Sequence, residues 1–281
     1  MRKLLVAATA LAALVGTPAL AADMAAPVYK APPPPAPVYS WTGFYIGGNV
    51  GWLGMDRVNL TATPNDPATA AFFGPCFAAG ACPNTIGNTR GDGVIGGLQI
   101  GYNWQVQNWV LGFEADAQGT GARTSNSITV TGVPGFVPFS ATQSVKEQAF
   151  GTVRARAGVL VSPMLLAYAT GGFAWASVKE SLSGGFPSLA QTFAGSNTTT
   201  DFGWTIGGGL EWAVGNGWTV GAEYLFARLD GNNSNNNNNS FVTAPTAAGC
   251  APGGVPACQF RISTSNFDNN IARLKVNYKF Y

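Results

Sequence analysis

The sequence of 281 residues contains no histidine. That removes the commonest general base and metal ligand, and with it Ser-His-Asp, Cys-His and HExxH chemistry. Charge is scarce as well: 10% of the residues are charged, against roughly 25% in soluble domains. The 15 Lys+Arg nearly balance the 13 Asp+Glu, so the chain lacks the basic footprint of a nucleic-acid binder. Long apolar runs are missing too. After Ala22 no stretch approaches the ~18–20 apolar residues of a spanning helix. What is plentiful is apolar content, at 46%, and glycine, at 37 residues. An exported β-protein or an outer-membrane barrel fits that combination.

Export is written at the N-terminus. Met1-Arg2-Lys3 is basic, residues 4–15 are almost wholly apolar or small, and Pro18 precedes Ala19-Leu20-Ala21. This is the layout of a secretory signal, here residues 1–21. Its removal takes Arg2 and Lys3, which carry the whole formal net charge of +2. Residues 22–40 form a lead. Within it residues 25–38 read AAPVYKAPPPPAPV, an extended polyproline-II spacer without secondary structure of its own.

From Trp41 to the end the hydrophobic period is two, which reads as strands with two distinct faces. Phe44, Ile46, Val50 and Trp52 share a parity, as do Val94, Leu98, Ile100, Tyr102 and Trp104. Further runs place Trp109, Leu111 and Phe113, then Val153, Ala155 and Val159, on one face. Trp204, Ile206, Leu210 and Trp212 follow, then Trp218, Val220 and Tyr224, and finally Leu274, Val276, Tyr278 and Phe280. The run from Leu165 to Ser177 is mixed: Phe173 and Trp175 agree, while Tyr168 and Val178 take the other parity. About eight strands of ~9–11 residues result, the length that crosses a bilayer as a tilted strand.

The charges choose the lipid face. A charge facing lipid at the midplane costs ~2–4 kcal/mol, and none of the apolar faces carries one. The opposite faces carry Glu114, Asp116, Arg154, Arg156, Glu211, Glu223, Arg273, Lys275 and Lys279. A soluble sandwich would bury the apolar face instead, and three features favour a barrel over it. Linkers alternate between long (54–91, 121–145, 179–200, 230–266) and short (106–108, 161–163, 214–217). The tryptophans fall at strand ends: Trp41, Trp104, Trp109, Trp212 and Trp218 beside the short turns, Trp52, Trp175 and Trp204 toward the long loops. Such rings favour a membrane interface. The chain also ends on an alternating aromatic strand, ready to pair with the first and leave no edge. The expected fold is all-β: an eight-stranded antiparallel up-and-down transmembrane barrel over residues 41–281, with long extracellular loops and short periplasmic turns.

These residues resemble a known family. The segments WTGFYIGGNVG (41–51), TVRARAG (152–158), YATGG (168–172), GWTIGGG (203–209), AEYL (222–225) and NYKF (277–280) are similar to the small outer-membrane β-barrel, porin-family proteins of alphaproteobacteria, related to opacity-type surface antigens. The resemblance implies an integral outer-membrane protein of a Gram-negative cell, with a structural, porin-like or surface-antigen role. Haem binding occurs in some such proteins. The partners it implies are outer-membrane lipid and lipopolysaccharide, the barrel-assembly machinery, and peptidoglycan or a host surface. It implies no catalytic residue, cofactor, metal or nucleic acid.

Four smaller features complete the reading. Gly91-Asp92-Gly93-Val94-Ile95-Gly96 matches GxGxxG, but no strand precedes it and no helix follows, so a nucleotide site is not expected. Cys76, Cys82, Cys250 and Cys258 meet an oxidising periplasm, which favours disulfides. Local pairs Cys76–Cys82 and Cys250–Cys258, or a cross-pairing between the first and last long loops, both fit. The Asn tract at 232–239 reads as a polar surface loop. The nine charges on the polar faces read first as a salt-bridge network filling a narrow lumen, and second as a constriction selecting ions.

Overall fold

The computed structural model describes residues 39–82, 85–134, 137–189, 191–230, 241–245 and 259–280. The signal segment, the lead before Tyr39, the Asn tract, Cys250, Cys258 and Tyr281 lie outside these. The strands are β1 Gly43–Pro64, β2 Thr85–Val106, β3 Trp109–Thr120, β4 Arg123–Val130, β5 Phe139–Ser162, β6 Leu165–Phe186 and β7 Gln191–Gly215. They continue with β8 Trp218–Asp230, β9 Phe241–Val242, β10 Ala244–Pro245, β11 Phe260–Thr264 and β12 Phe267–Lys279. Helix α1 spans Pro67–Ala78.

Eight of the strands close a ring in the order β1, β2, β3, β5, β6, β7, β8, β12, every neighbour antiparallel. β12 returns to β1 with Ile46 opposite Tyr278 and Val50 opposite Leu274. Tight turns at Gln107-Asn108, Pro163-Met164 and Asn216-Gly217 join strands at one end. Gln107 at φ 55, Asn216 at φ 52 and Gly217 at φ 81 take the left-handed values that two-residue hairpins use. The middle turn sits later than expected, because Val161 and Ser162 continue β5.

The other end corrects the loop assignment. Much of 54–91, 121–145 and 179–200 is strand, and β1, β2, β5, β6 and β7 each run for 22 to 25 residues. The alternation does not stop where the loops were expected. It inverts. Around the level of Leu53, Ile95, Ala174, Leu225 and Ile271 most inward positions become apolar and wholly buried, with Gln143, Glu147, Glu180 and Asn269 as buried polar exceptions. The outward positions turn polar, as at Lys146 and Lys179. A membrane barrel, apolar outside, thus continues into an extension with the pattern of a water-soluble one, apolar inside.

Helix α1 roofs this apolar interior. Its start is locally encoded: Asp66 caps it, accepting from the Thr69 amide at 2.9 Å and the Thr69 hydroxyl at 2.6 Å, and Pro67 occupies the first turn, where its missing N–H costs nothing. Those Thr69 hydrogen bonds hold the half-buried Asp66 carboxyl below the usual range. Phe73 points inward and meets Phe139 and Phe260 edge-on, with centroids 5.5 and 4.8 Å apart. A disulfide joins Cys76 to Cys82, tying the last helical turn to the chain that follows.

Candidate functional site

Within the ring, inward-facing residues of five strands meet in one charged layer. β3 supplies Glu114 and Asp116, β5 Arg154 and Arg156, β7 Glu211, β8 Glu223, and β12 Arg273 and Lys275. The register sets the first contacts: Glu114 stands opposite Arg154, and Glu223 opposite Arg273. Four carboxylates therefore face four cations, and their side chains are 0 to 4% exposed.

Arg154 is the hub. Its Nη2 donates to Glu114 and to Asp116 Oδ2 (2.9 Å), its Nη1 to Glu223 Oε1 (3.1 Å), and its Nε to the Thr152 hydroxyl (2.8 Å). Arg273 joins Asp116 Oδ2 (2.9 Å) to Glu223 Oε2 (2.7 Å). Lys275 Nζ donates to both oxygens of Glu114 at 2.8 and 2.7 Å. Arg156 donates to Glu211 at 2.8 Å and to the Tyr45 hydroxyl at 3.0 Å, and its guanidinium lies 4.1 Å from the Tyr168 ring centre.

Neutral residues saturate the remaining carboxylate positions. The Tyr45 hydroxyl donates to Glu114 at 2.7 Å, Tyr168 to Glu223 at 2.9 Å, and Thr219 to Glu211 at 2.6 Å. Asn277 also donates to Glu211, at 3.0 Å. Asn49, Gln99 and Asn277 form a further amide chain. The charges were legible from parity, but these partners were not singled out. Tyr168 carried the signal: its off-parity position marks it as inward.

Two expected members lie elsewhere. Lys279 is buried at the tight-turn end, apart from the layer. Its Nζ donates to the Ser40 carbonyl and sits 4.8 Å from the Tyr39 ring centre. Trp41, expected among the interfacial aromatics, is 1% exposed. Its indole N–H donates to the Pro163 carbonyl at 3.2 Å, and its ring packs on Tyr39, Val110, Leu166 and Ala213. The cause is its place two residues before Gly43: the chain turns across the barrel end before β1 begins, so strand parity does not govern it. Trp52, Trp104, Trp109, Trp204, Trp212 and Trp218 point outward and are about half exposed. Trp175 also points outward, over Gly151 opposite it on β5.

The GxGxxG segment lies inside β2, not at a loop-to-strand junction. Gly93 is needed for a different reason: a Cβ there would collide with the backbone of Gly121 and Ala122, where the chain steps from β3 to β4. Among the described residues no group of His, Cys, Asp and Glu could hold a metal ion.

A family model described as outer membrane protein beta-barrel domain matches residues 7–280. The 31 kDa outer-membrane immunogenic protein of Brucella melitensis is 35% identical, over 83% of this chain and 90% of its own. The 22 kDa outer membrane protein of Rhizobium leguminosarum is 29% identical over 74% of each chain. Among solved structures, OprG of Pseudomonas aeruginosa aligns at a TM-score of 0.45 and 12% identity, covering 85% of this chain and 97% of that one. Ail of Yersinia pestis aligns at 0.35 and 11%, covering 85% and 99%. With the family model spanning nearly the whole chain, the protein belongs to the outer-membrane β-barrel family and resides in the outer membrane of a Gram-negative bacterium.

Proposed function

We propose that this protein is a passive, sealed barrel: an envelope component that carries a rigid extension above the outer leaflet and passes neither ions nor solutes. The observation that supports it is the buried, balanced layer of four carboxylates and four cations. Eight strands leave an interior just wide enough for side chains. Opening a path would strip charges of partners in a dry interior, at roughly 3–5 kcal/mol for each pair broken. The apolar interior above, roofed by Phe73, adds a second barrier to a hydrated ion. Proteoliposome swelling with small sugars tests the reading. The barrel should swell no faster than protein-free vesicles; rates that fall with solute size would refute it.

A second reading places recognition on the extension and its outer loops, as a ligand-binding or host-contact surface. Its support is the length of chain standing clear of the lipid-facing band, and relatives named as immunogenic proteins. Exchanging the outer loops on an unchanged ring should abolish any such binding while sparing the sealed barrel.

A further inference from the structure

Three cations stand side by side on the outer face of the extension. Arg123 on β4 is opposite Lys146 on β5, and Lys146 is opposite Lys179 on β6. All three are exposed. Directly opposed like charges destabilise a sheet, so a row of three in register calls for a compensating anion. Among the described residues no carboxylate oxygen lies within 4.0 Å of any of the three, and neither Lys146 nor Lys179 has an acidic residue opposite it in register. Asp92, exposed on β2 directly opposite Arg123, is the acidic residue in register with the row, and it can offset only the Arg123 end. Glu147 and Glu180, their sequence neighbours, face inward and are buried. Other outward arginines on the extension do have partners: Arg90 pairs with Asp56 at 2.9 Å and Arg228 with Asp268 at 3.3 Å.

The height of the row identifies the anion. Lys179 lies four positions above Trp175 on the same outward parity. Four residues rise ~13 Å along a strand, or about 10 Å along the axis of a barrel with strands tilted near 40°. The outward Trp175, Phe173 and Trp204 mark the upper end of the lipid-facing band, so the row faces the headgroup zone. Long Lys and Arg side chains reach back toward such a zone while their stems cover apolar surface. We propose that Arg123, Lys146 and Lys179 bind the phosphate groups of an outer-leaflet glycolipid, clamping one headgroup to the β4–β6 side of the barrel. Phosphate suits the site because it accepts several charge-assisted hydrogen bonds at once. The position on the outer wall, not on the top rim, favours a lipid-borne phosphate over a soluble polyanion.

The test uses the folded full-length barrel in phosphocholine vesicles doped with a diphosphorylated glycolipid, the same glycolipid without phosphates, or inorganic phosphate alone. Lipid retained through purification is measured by mass spectrometry. The wild type should retain the phosphorylated glycolipid and not its phosphate-free form. The R123Q/K146Q/K179Q variant should retain it on the order of 100-fold more weakly, while keeping the wild-type shift between boiled and unboiled gel mobility. The charge-preserving K146R/K179R variant should retain it as wild type does. Should the triple variant lose its gel shift, the single K146Q variant, which keeps two cations, decides by an intermediate loss. Equal retention by wild type and charge-removed variants overturns the proposal. So does equal retention of the phosphate-free glycolipid, or equally tight binding of inorganic phosphate alone, which would mark a site for free anions.

Discussion

Arg154 of β5 and Glu223 of β8 bond at 3.1 Å across the lumen, although two whole strands separate them in the wall. The same guanidinium holds Glu114 and Asp116. Replacing Arg154 with Ala leaves three buried carboxylates short of a cation. Breaking a buried pair from one side costs about 3–5 kcal/mol. We expect Arg154→Ala to lower the unfolding free energy in detergent by at least that amount, and the gel-mobility transition to fall to lower temperature. Adding Arg156→Ala should deepen the loss, since Glu211 then loses its arginine partner. An unchanged denaturation midpoint for the double variant would remove the structural role of the layer.

Trp41 closes the tight-turn end from inside. Trp41→Ala should cost about 3–5 kcal/mol, as large buried side chains do. It should not open the barrel, because the charged layer lies beyond it. Quenching by brominated lipids separates Trp41 from the outward tryptophans: a barrel retaining Trp41 alone should be quenched far less than one retaining Trp212 alone. Equal quenching would place Trp41 on the lipid face.

Asp66 gives a pH dependence local to α1. Its folded-state pKa is depressed by Thr69. The stabilisation is therefore complete above the unfolded value of about 3.9 and fades as pH falls through the folded one. Hydrogen exchange of the first-turn amides should accelerate on acidification below about pH 4, beyond the intrinsic change. Asp66→Ala should weaken the helix by about 1 kcal/mol at neutral pH, while Asp66→Asn should largely preserve it. A helix indifferent to both substitutions would contradict the cap.

Reduction of Cys76–Cys82 should act on the roof and spare the ring. The bond closes a short loop of sequence separation 6, and short loops contribute least in the entropic account. Amides of α1 should lose protection while the gel-mobility transition of the barrel stays put. Collapse of that transition on reduction would show the roof to be integral to the ring.

The ring was legible because two simple rules agree on it. Parity placed Glu114, Arg154 and Lys275 together inside, and the last strand was expected to seal against the first, as Ile46 and Tyr278 do. The extension escaped because the rule reverses there. Val178 and Tyr168 share an inward parity, yet Val178 belongs to the apolar interior and Tyr168 to the charged layer. A single polarity template applied to both makes β6 look confused. Helix α1 is hidden although Asp66-Pro67 is a start signal, because in an alternating body the segments between strands are expected to be loops. Cross-barrel partners such as Glu223 with Arg154 depend on closure, which no local pattern specifies.

The proposed sealing of the lumen is tested most directly by planar-bilayer conductance of the folded barrel at neutral pH. The proposed seal predicts no discrete current steps from the wild type, since eight interlocked charges would leave no hydrated path. Reproducible steps of uniform size from the wild-type protein would contradict it.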